Sequence, residues 1–237
     1  MEKLSSRPQK IRVAILDDHQ STLDGYTFRL SKSEAIKLVG TARFGEQLEP
    51  MLAEMAVDLL VLDVGVPISE ADPNPYPLLH IIPKLLAKYP DLAILIISMH
   101  KQRTMIQALM DAGAKGYIVK DDTEEILKLA DIVRSVAAGG IYFSKQSYRL
   151  ITGSGEEDAD FQILTPRQVE ALSLYAAQPN LTTADLAKLM NIAPSTLRNL
   201  LSEAYFRLKV NNRSAAIAKA RQFGIITPYS PDSNTGG

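Results

Sequence analysis

Three carboxylates stand where apolar runs of this chain end. Asp17 and Asp18 follow IRVAIL, and Asp63 closes LLVLD. Two further polar residues end later runs of the same kind, Ser98 in AILIIS and Lys120 in GYIVK. Clustered carboxylates repel one another unless a proton or a cation intervenes. A hard ion such as Mg2+ takes oxygen ligands and resolves that conflict, leaving one carboxylate beside it as a nucleophile toward a phosphoryl group. A lysine ammonium then offsets charge developing on the phosphoryl oxygens, while a hydroxyl grips one of them. Taken singly, an Asp-Asp pair is an ordinary turn, and a lone serine or lysine is an ordinary surface group. Their occurrence at successive run ends is what points to phosphoryl chemistry.

The elements that must bring these residues together are strands of one sheet. Five apolar runs, 11–16, 36–43, 58–64, 93–98 and 116–120, alternate with amphipathic stretches, as in a parallel sheet flanked by helices. The third and fourth are continuously apolar, which places them centrally, covered on both faces. Ile126, Leu129, Ile132 or Val133, and Val136 recur at helical spacing before Gly139 and Gly140 end that segment. The expected fold is α/β, a doubly wound flavodoxin-like (βα)5 domain whose ligands bind beyond the carboxyl ends of the strands.

Composition narrows the alternatives. A chain of 237 residues fits two domains, and 46% hydrophobic with 22% charged residues is ordinary for globular protein. The absence of cysteine removes disulfide and thiol chemistry, and His19, His80 and His100 form no i, i+4 pair, which argues against zinc. Residues 1–10 are polar and lack the apolar core of a signal peptide, so a cytoplasmic location with no membrane partner is expected. The net charge of −1 is unevenly spread: residues 161–223 carry 8 basic against 3 acidic residues, whereas 10–152 carry 16 against 18. A polyanion would prefer the last segment.

That segment is helical throughout by pattern, over 166–177, 183–190, 195–210 and 214–223. Thr165 reads as an N-cap with Pro166 at the first helical position. TTADLAKLM and APSTLRNLL, joined by Asn191 and Ile192, read as two helices sharing a core of Leu186, Leu189, Ile192, Leu197 and Leu201. This is a helix-turn-helix pattern, the second helix of which enters the DNA major groove. The polar, acidic stretch before it lies in a linker over 146–160, so the domains are expected at 10–145 and 161–227, with a flexible tail at 228–237.

LDDH (16–19), LDVGVP (62–67), IIS ending at Ser98, and GYIVKD (116–121) together resemble a response-regulator receiver domain. LTPRQVEAL, PSTLRNLL and LKVNNRSAAIAKARQFGII resemble, in register, the LuxR-type output domain of the NarL/FixJ class of two-component regulators. The resemblance implies that Asp63 accepts phosphate from a sensor histidine kinase. It implies that Asp17, Asp18, Asp63 and the carbonyl of Gly65 hold Mg2+, that Ser98 and Lys120 contact the phosphoryl group, and that Tyr117 is the aromatic that switches as Ser98 moves. His100, two residues past Ser98, lies where family members tune phosphate lifetime. The resemblance also implies that Ser195, Thr196, Arg198, Asn199 and Ser202 face double-stranded DNA, with Arg198 and Asn199 suited to guanine and adenine edges. Arg167, Lys188, Arg207, Lys209 and Arg213 are assigned to phosphates, and a homodimer is the implied binding unit.

Two departures from the family pattern stand out. SEADPNPYPLLHIIP (69–83) is longer and richer in proline than the usual loop, so Pro73, Pro75 and Pro77 should hold it extended and the third helix should start late, at Pro83. Ala184, Leu200 and Glu203 deplete the basic face of the reader, which predicts weaker or more dimer-dependent DNA binding. The rival readings are a receiver that works without phosphate and, in another class, an aspartate-based phosphoesterase. The second lacks the general acid two residues after Asp63, where Gly65 stands.

Overall fold

The apolar runs form the strands expected of them. The computed structural model describes residues 9–152 and 164–226. Within the first stretch lie β1 (Ile11–Leu16), β2 (Ile36–Ala42), β3 (Leu59–Leu62), β4 (Ala93–Ser98), β5 (Gly116–Val119) and β6 (Tyr142–Phe143). They make one parallel sheet in the order β2-β1-β3-β4-β5-β6. Side chains alternate between its faces with the two-residue period of a strand. Val13, Ile15, Leu59, Val61, Leu95 and Ile97 face one core, which is closed by α1 (Gln20–Ser31) and α6 (Leu129–Ala137). Their neighbours Ala14, Leu16, Leu60, Leu62, Ile94 and Ile96 face the other, closed by α2 (Leu48–Glu54), α3 (Leu78–Lys88) and α4 (Arg103–Asp111). The strand order reverses between β1 and β3, the point at which doubly wound sheets bind ligands beyond the carboxyl ends of the strands.

Three sequence expectations are corrected here. Helix α3 starts at Leu78, not at Pro83, which lies inside it. Pro83 removes one helical hydrogen bond, but Leu78, Leu79, Ile82 and Leu85 are buried and their packing holds the helix through it. The segment around Ile126 is two helices, α5 (Thr123–Leu127) and α6, separated at Lys128, whose backbone leaves the helical region. Residues placed in the linker form α7 (Lys145–Thr152) instead. The Ser147 hydroxyl, fully buried, donates to the Tyr117 carbonyl at 2.9 Å and so ties α7 to β5. The remainder of the expected linker and the expected tail lie outside the described residues.

The proline-rich loop, expected to be held extended by Pro73, Pro75 and Pro77, instead folds back on itself, with the Ile68 and Tyr76 amides donating to the Asn74 and Val66 carbonyls at 2.9 and 2.8 Å, and it is anchored. Pro67 and Pro75 form an antiparallel bridge, and the Gly45 and Glu46 amides donate to the Pro67 and Ile68 carbonyls at 2.9 Å. Tyr76 lies over Gly45, where an added Cβ would meet the ring at 2.1 Å.

The second unit is all helical: α8 (Pro166–Ala177), α9 (Thr183–Leu189), α10 (Pro194–Arg207) and α11 (Arg213–Gln222). Thr165 caps α8 in a reciprocal box with Gln168, and Pro166 takes the first helical position. Leu186, Leu197 and Leu201 are buried between the helices and Ile192 is half-buried. Leu189, assigned to the same core, is instead 44% exposed.

The two units touch. Helix α8 packs on α3, and a His80 ring nitrogen lies 2.6 Å from a Glu170 carboxylate oxygen. The Thr104 hydroxyl donates to the Phe223 carbonyl at 2.7 Å. Gly224, with φ +62°, lies so close to Gln102 that a Cβ would come within 2.5 Å of it. Glycine meets both demands of that position, the left-handed backbone and the close approach.

Candidate phosphoacceptor site and recognition helix

The ends of β1, β3, β4 and β5 deliver Asp17, Asp63, Ser98 and Lys120 to one edge. Asp17, Asp63 and Ser98 are buried. The Lys120 ammonium lies 2.7 Å from an Asp63 oxygen and 2.8 Å from an Asp17 oxygen, so one cation bridges two carboxylates. Burial pushes the Asp17 carboxyl above its usual range and the charge of Asp63 adds to this, with Lys120 opposing both. Burial alone would lower the Lys120 ammonium, but the two carboxylates outweigh it and the net shift is upward. Lys120 therefore stays charged beside Asp63.

The other Asp63 oxygen accepts from the Val64 amide at 2.7 Å, which orients the carboxylate. The His19 amide donates to Asp17 at 3.0 Å, and a His19 ring nitrogen lies 2.8 Å from Asp18. One donor atom each from Asp17, Asp18, His19 and Asp63 falls within 4.8 Å of the others, a set that could hold a metal ion. The three aspartates were legible in sequence. His19 was not, because only the start of α1 brings its ring back onto Asp18. Gly65 lies two residues past Asp63 in the following turn, where an added Cβ would meet nothing within 4 Å.

Tyr117 is fully buried, and its hydroxyl donates to the His100 carbonyl at 2.7 Å. The His100 amide in turn donates to the Ser98 hydroxyl at 3.3 Å. The aromatic and the hydroxyl are thus linked through one short loop. Burial lowers the His100 imidazole below its usual value, despite the nearby Asp63.

On the second unit, Ser195, Thr196, Arg198, Asn199 and Ser202 are all exposed along α10. Leu197, Leu201 and Ala204 bury the opposite face. Glu203, which would repel a polyanion, accepts from the buried Gln168 amide at 3.0 Å and so is tied to α8. The basic residues divide. Lys188 lies on α9, Arg207 ends α10 and Lys209 stands in the turn after it. Arg167 pairs with Glu170 at 2.8 Å. Arg213 is turned inward, its guanidinium 3.8 Å from the Tyr175 ring centroid and donating to the Tyr175 carbonyl at 3.1 Å. These contacts join α11 to α8.

Fold and site together define a receiver joined to a four-helix helix-turn-helix module. Residues 13–131 match the model of the response regulator receiver domain. The transcriptional regulatory protein DegU of Brevibacillus brevis is 23% identical, covering 92% of this chain and 95% of DegU. The oxygen regulatory protein NreC of Staphylococcus epidermidis is 30% identical, covering 70% of this chain and 77% of NreC. The fold is similar to that of RcsB from Salmonella enterica serovar Typhimurium bound to promoter rprA with a phosphomimetic, with TM-score 0.62 at 20% identity over 89% of this chain and 98% of that one. The chain belongs to the response regulator family, in its NarL/FixJ-type branch of transcription regulators. Among the described residues no helix is long and apolar enough to cross a membrane.

Proposed function

We propose that this response regulator accepts a phosphoryl group on Asp63 from a sensor histidine kinase and thereby controls binding of double-stranded DNA by a homodimer through α10. The observation that carries the reading is the buried Lys120 ammonium shared by Asp63 and Asp17.

In the transfer, an Asp63 oxygen attacks phosphorus, a P–O bond forms as the P–N bond to the kinase imidazole breaks, and the imidazole leaves with its nitrogen lone pair. The Lys120 ammonium, 2.7 Å from an Asp63 oxygen, lies beside the attacking group. As negative charge gathers on the transferred oxygens, the ammonium turns to them and the Ser98 hydroxyl donates to one. Mg2+ held by Asp17, Asp18, Asp63 and the Gly65 carbonyl would supply further charge neutralisation there. Movement of Ser98 toward the phosphoryl group pulls on the loop that accepts the Tyr117 hydrogen bond, and that loop leads into α4, which carries the Thr104 contact to the output unit. A shift there biases the docking of the two units.

On the DNA side, Arg198 and Asn199 are placed to read bases, with Ser195, Thr196 and Ser202 beside them. Arg167, Lys188, Arg207 and Lys209 supply phosphate contacts. The acyl-phosphate reading is tested by incubating the purified protein with acetyl phosphate and Mg2+ and resolving the phosphorylated form by phosphate-affinity electrophoresis. Wild type is labelled and Asp63→Asn is not. Equal labelling of both would refute it, and a wild type that resists labelling would favour a receiver that works without phosphate.

A further inference from the structure

Between the two units lies a cavity of about 550 Å³ that involves none of the phosphoacceptor residues. Its receiver wall comes from α3 and α4, including Leu79, Ala87 and Ala108. Its output wall includes Val169 on α8, Leu189 at the end of α9, and Met190. The volume is in the range of small-molecule sites, which are mostly apolar with a few converging polar groups. The misfit of Leu189, exposed although its spacing places it in the helix-turn-helix core, is explained by this cavity: the side chain lines it.

The polar group that completes the site is His80. Its side chain is only 4% exposed and lines the cavity, and one ring nitrogen is held by Glu170 at 2.6 Å. Among the described residues, the other ring nitrogen has no hydrogen-bond partner. That nitrogen is not fully sealed from solvent, so a ligand hydroxyl would take the place of water there. Glu170 fixes the ring, and Arg167 at 2.8 Å from the second Glu170 oxygen fixes the carboxylate, so the free nitrogen is held in place before any ligand arrives. Exposed Lys84 and Asp111 also line the cavity with opposite charges, so the lining favours no net ligand charge.

We propose that this interdomain cavity is a binding site for a lipophilic small molecule bearing a hydroxyl group, the apolar body lying between Leu79, Ala108 and Leu189 and the hydroxyl meeting the free His80 nitrogen. A hydroxyl fits because it donates to the neutral ring and accepts from the protonated one. The walls come from both units, so occupancy favours the docked arrangement over separated domains. Leu189 and Met190 end the first helix of the helix-turn-helix, so the ligand would also touch the element that positions α10.

The test is fluorescence titration of the full chain with 2-naphthol, with naphthalene as the probe lacking the hydroxyl. The expected result is saturable binding at one site per chain, about tenfold tighter for 2-naphthol than for naphthalene, the scale of one hydrogen bond. His80→Leu should erase that tenfold difference. Ala87→Phe and Ala108→Phe, which fill the cavity from α3 and α4, should each remove binding while acetyl-phosphate labelling is retained; exposed Ala87 gives a variant free of core strain. Absence of saturable binding, or equal affinity in wild type and both filled variants, overturns the site. Equal affinities of the two probes for wild type overturn the hydroxyl assignment.

Discussion

Replacing Lys120 with methionine isolates the electrostatics of the receiver site. The lysine side chain is 12% exposed and its ammonium lies within 2.8 Å of two buried carboxylates. Removing one partner of a buried ion pair costs about 3–5 kcal/mol. The residual contact with solvent, and proton uptake by Asp17, whose carboxyl burial already pushes upward, place the expected loss near about 3 kcal/mol. With a urea slope of about 1–3 kcal/mol per molar, the unfolding midpoint in EDTA should fall by about 1–3 M. Circular dichroism is the probe of choice, because the chain has no tryptophan. A cation that binds only the folded state contributes about 1.4 kcal/mol at ten times its Kd. Mg2+ should stabilise the variant more than wild type, since it takes over the task of the missing ammonium. A loss below about 1 kcal/mol, or an equal response to Mg2+, would refute the claim that Lys120 neutralises a pair of charged carboxylates.

Three further outcomes are expected. Burial alone would raise the Glu170 carboxyl, but bonds to His80 and Arg167 outweigh it and hold it below its ordinary value of 4.5. Its folded pKa is depressed, so its contribution to docking is present above about pH 4.5 and is lost as pH falls through the folded value; fluorescence energy transfer between labels on the two units should fall there in wild type and show no such step in Glu170→Gln. Arg198→Ala should cost about 1–3 kcal/mol on a cognate site and relax discrimination at one base pair, whereas Arg207→Ala should weaken all sequences alike and reduce the salt slope by about 1, read by fluorescence anisotropy at several salt concentrations. Gly45→Ala forces Tyr76 aside, with an expected loss of about 1–3 kcal/mol in chemical unfolding; if the anchored loop also shields Asp63, the acyl phosphate of this variant should decay faster than that of wild type.

Much of the site could be read from the sequence because it is tied to strand ends. Asp17, Asp63, Ser98 and Lys120 each close an apolar run, and a parallel sheet brings such ends to one edge whatever the loops do. What escaped depends on tertiary packing. Helix α3 runs through Pro83 because buried Leu78, Leu79, Ile82 and Leu85 outweigh one missing hydrogen bond. Helix α7 is mostly polar, and it is tied to β5 through two buried serines, Ser144 and Ser147, that no periodicity reveals. Leu189 has core spacing, yet it faces a neighbouring domain, information that a helical repeat does not contain. The packing of Arg213 on the Tyr175 ring, 38 positions away in sequence, is likewise not written in any local pattern. His80 and Glu170 are separated by 90 positions, and no local pattern pairs them.

The central claim is that phosphate on Asp63 governs the DNA reader. It is tested most directly by mapping genome-wide DNA occupancy of wild type and of Asp63→Asn, expressed at equal levels under conditions that activate the kinase. The account predicts discrete sites for wild type that are weakened or redistributed in the variant. Identical occupancy, with wild type confirmed as phosphorylated in the same cells, would contradict it.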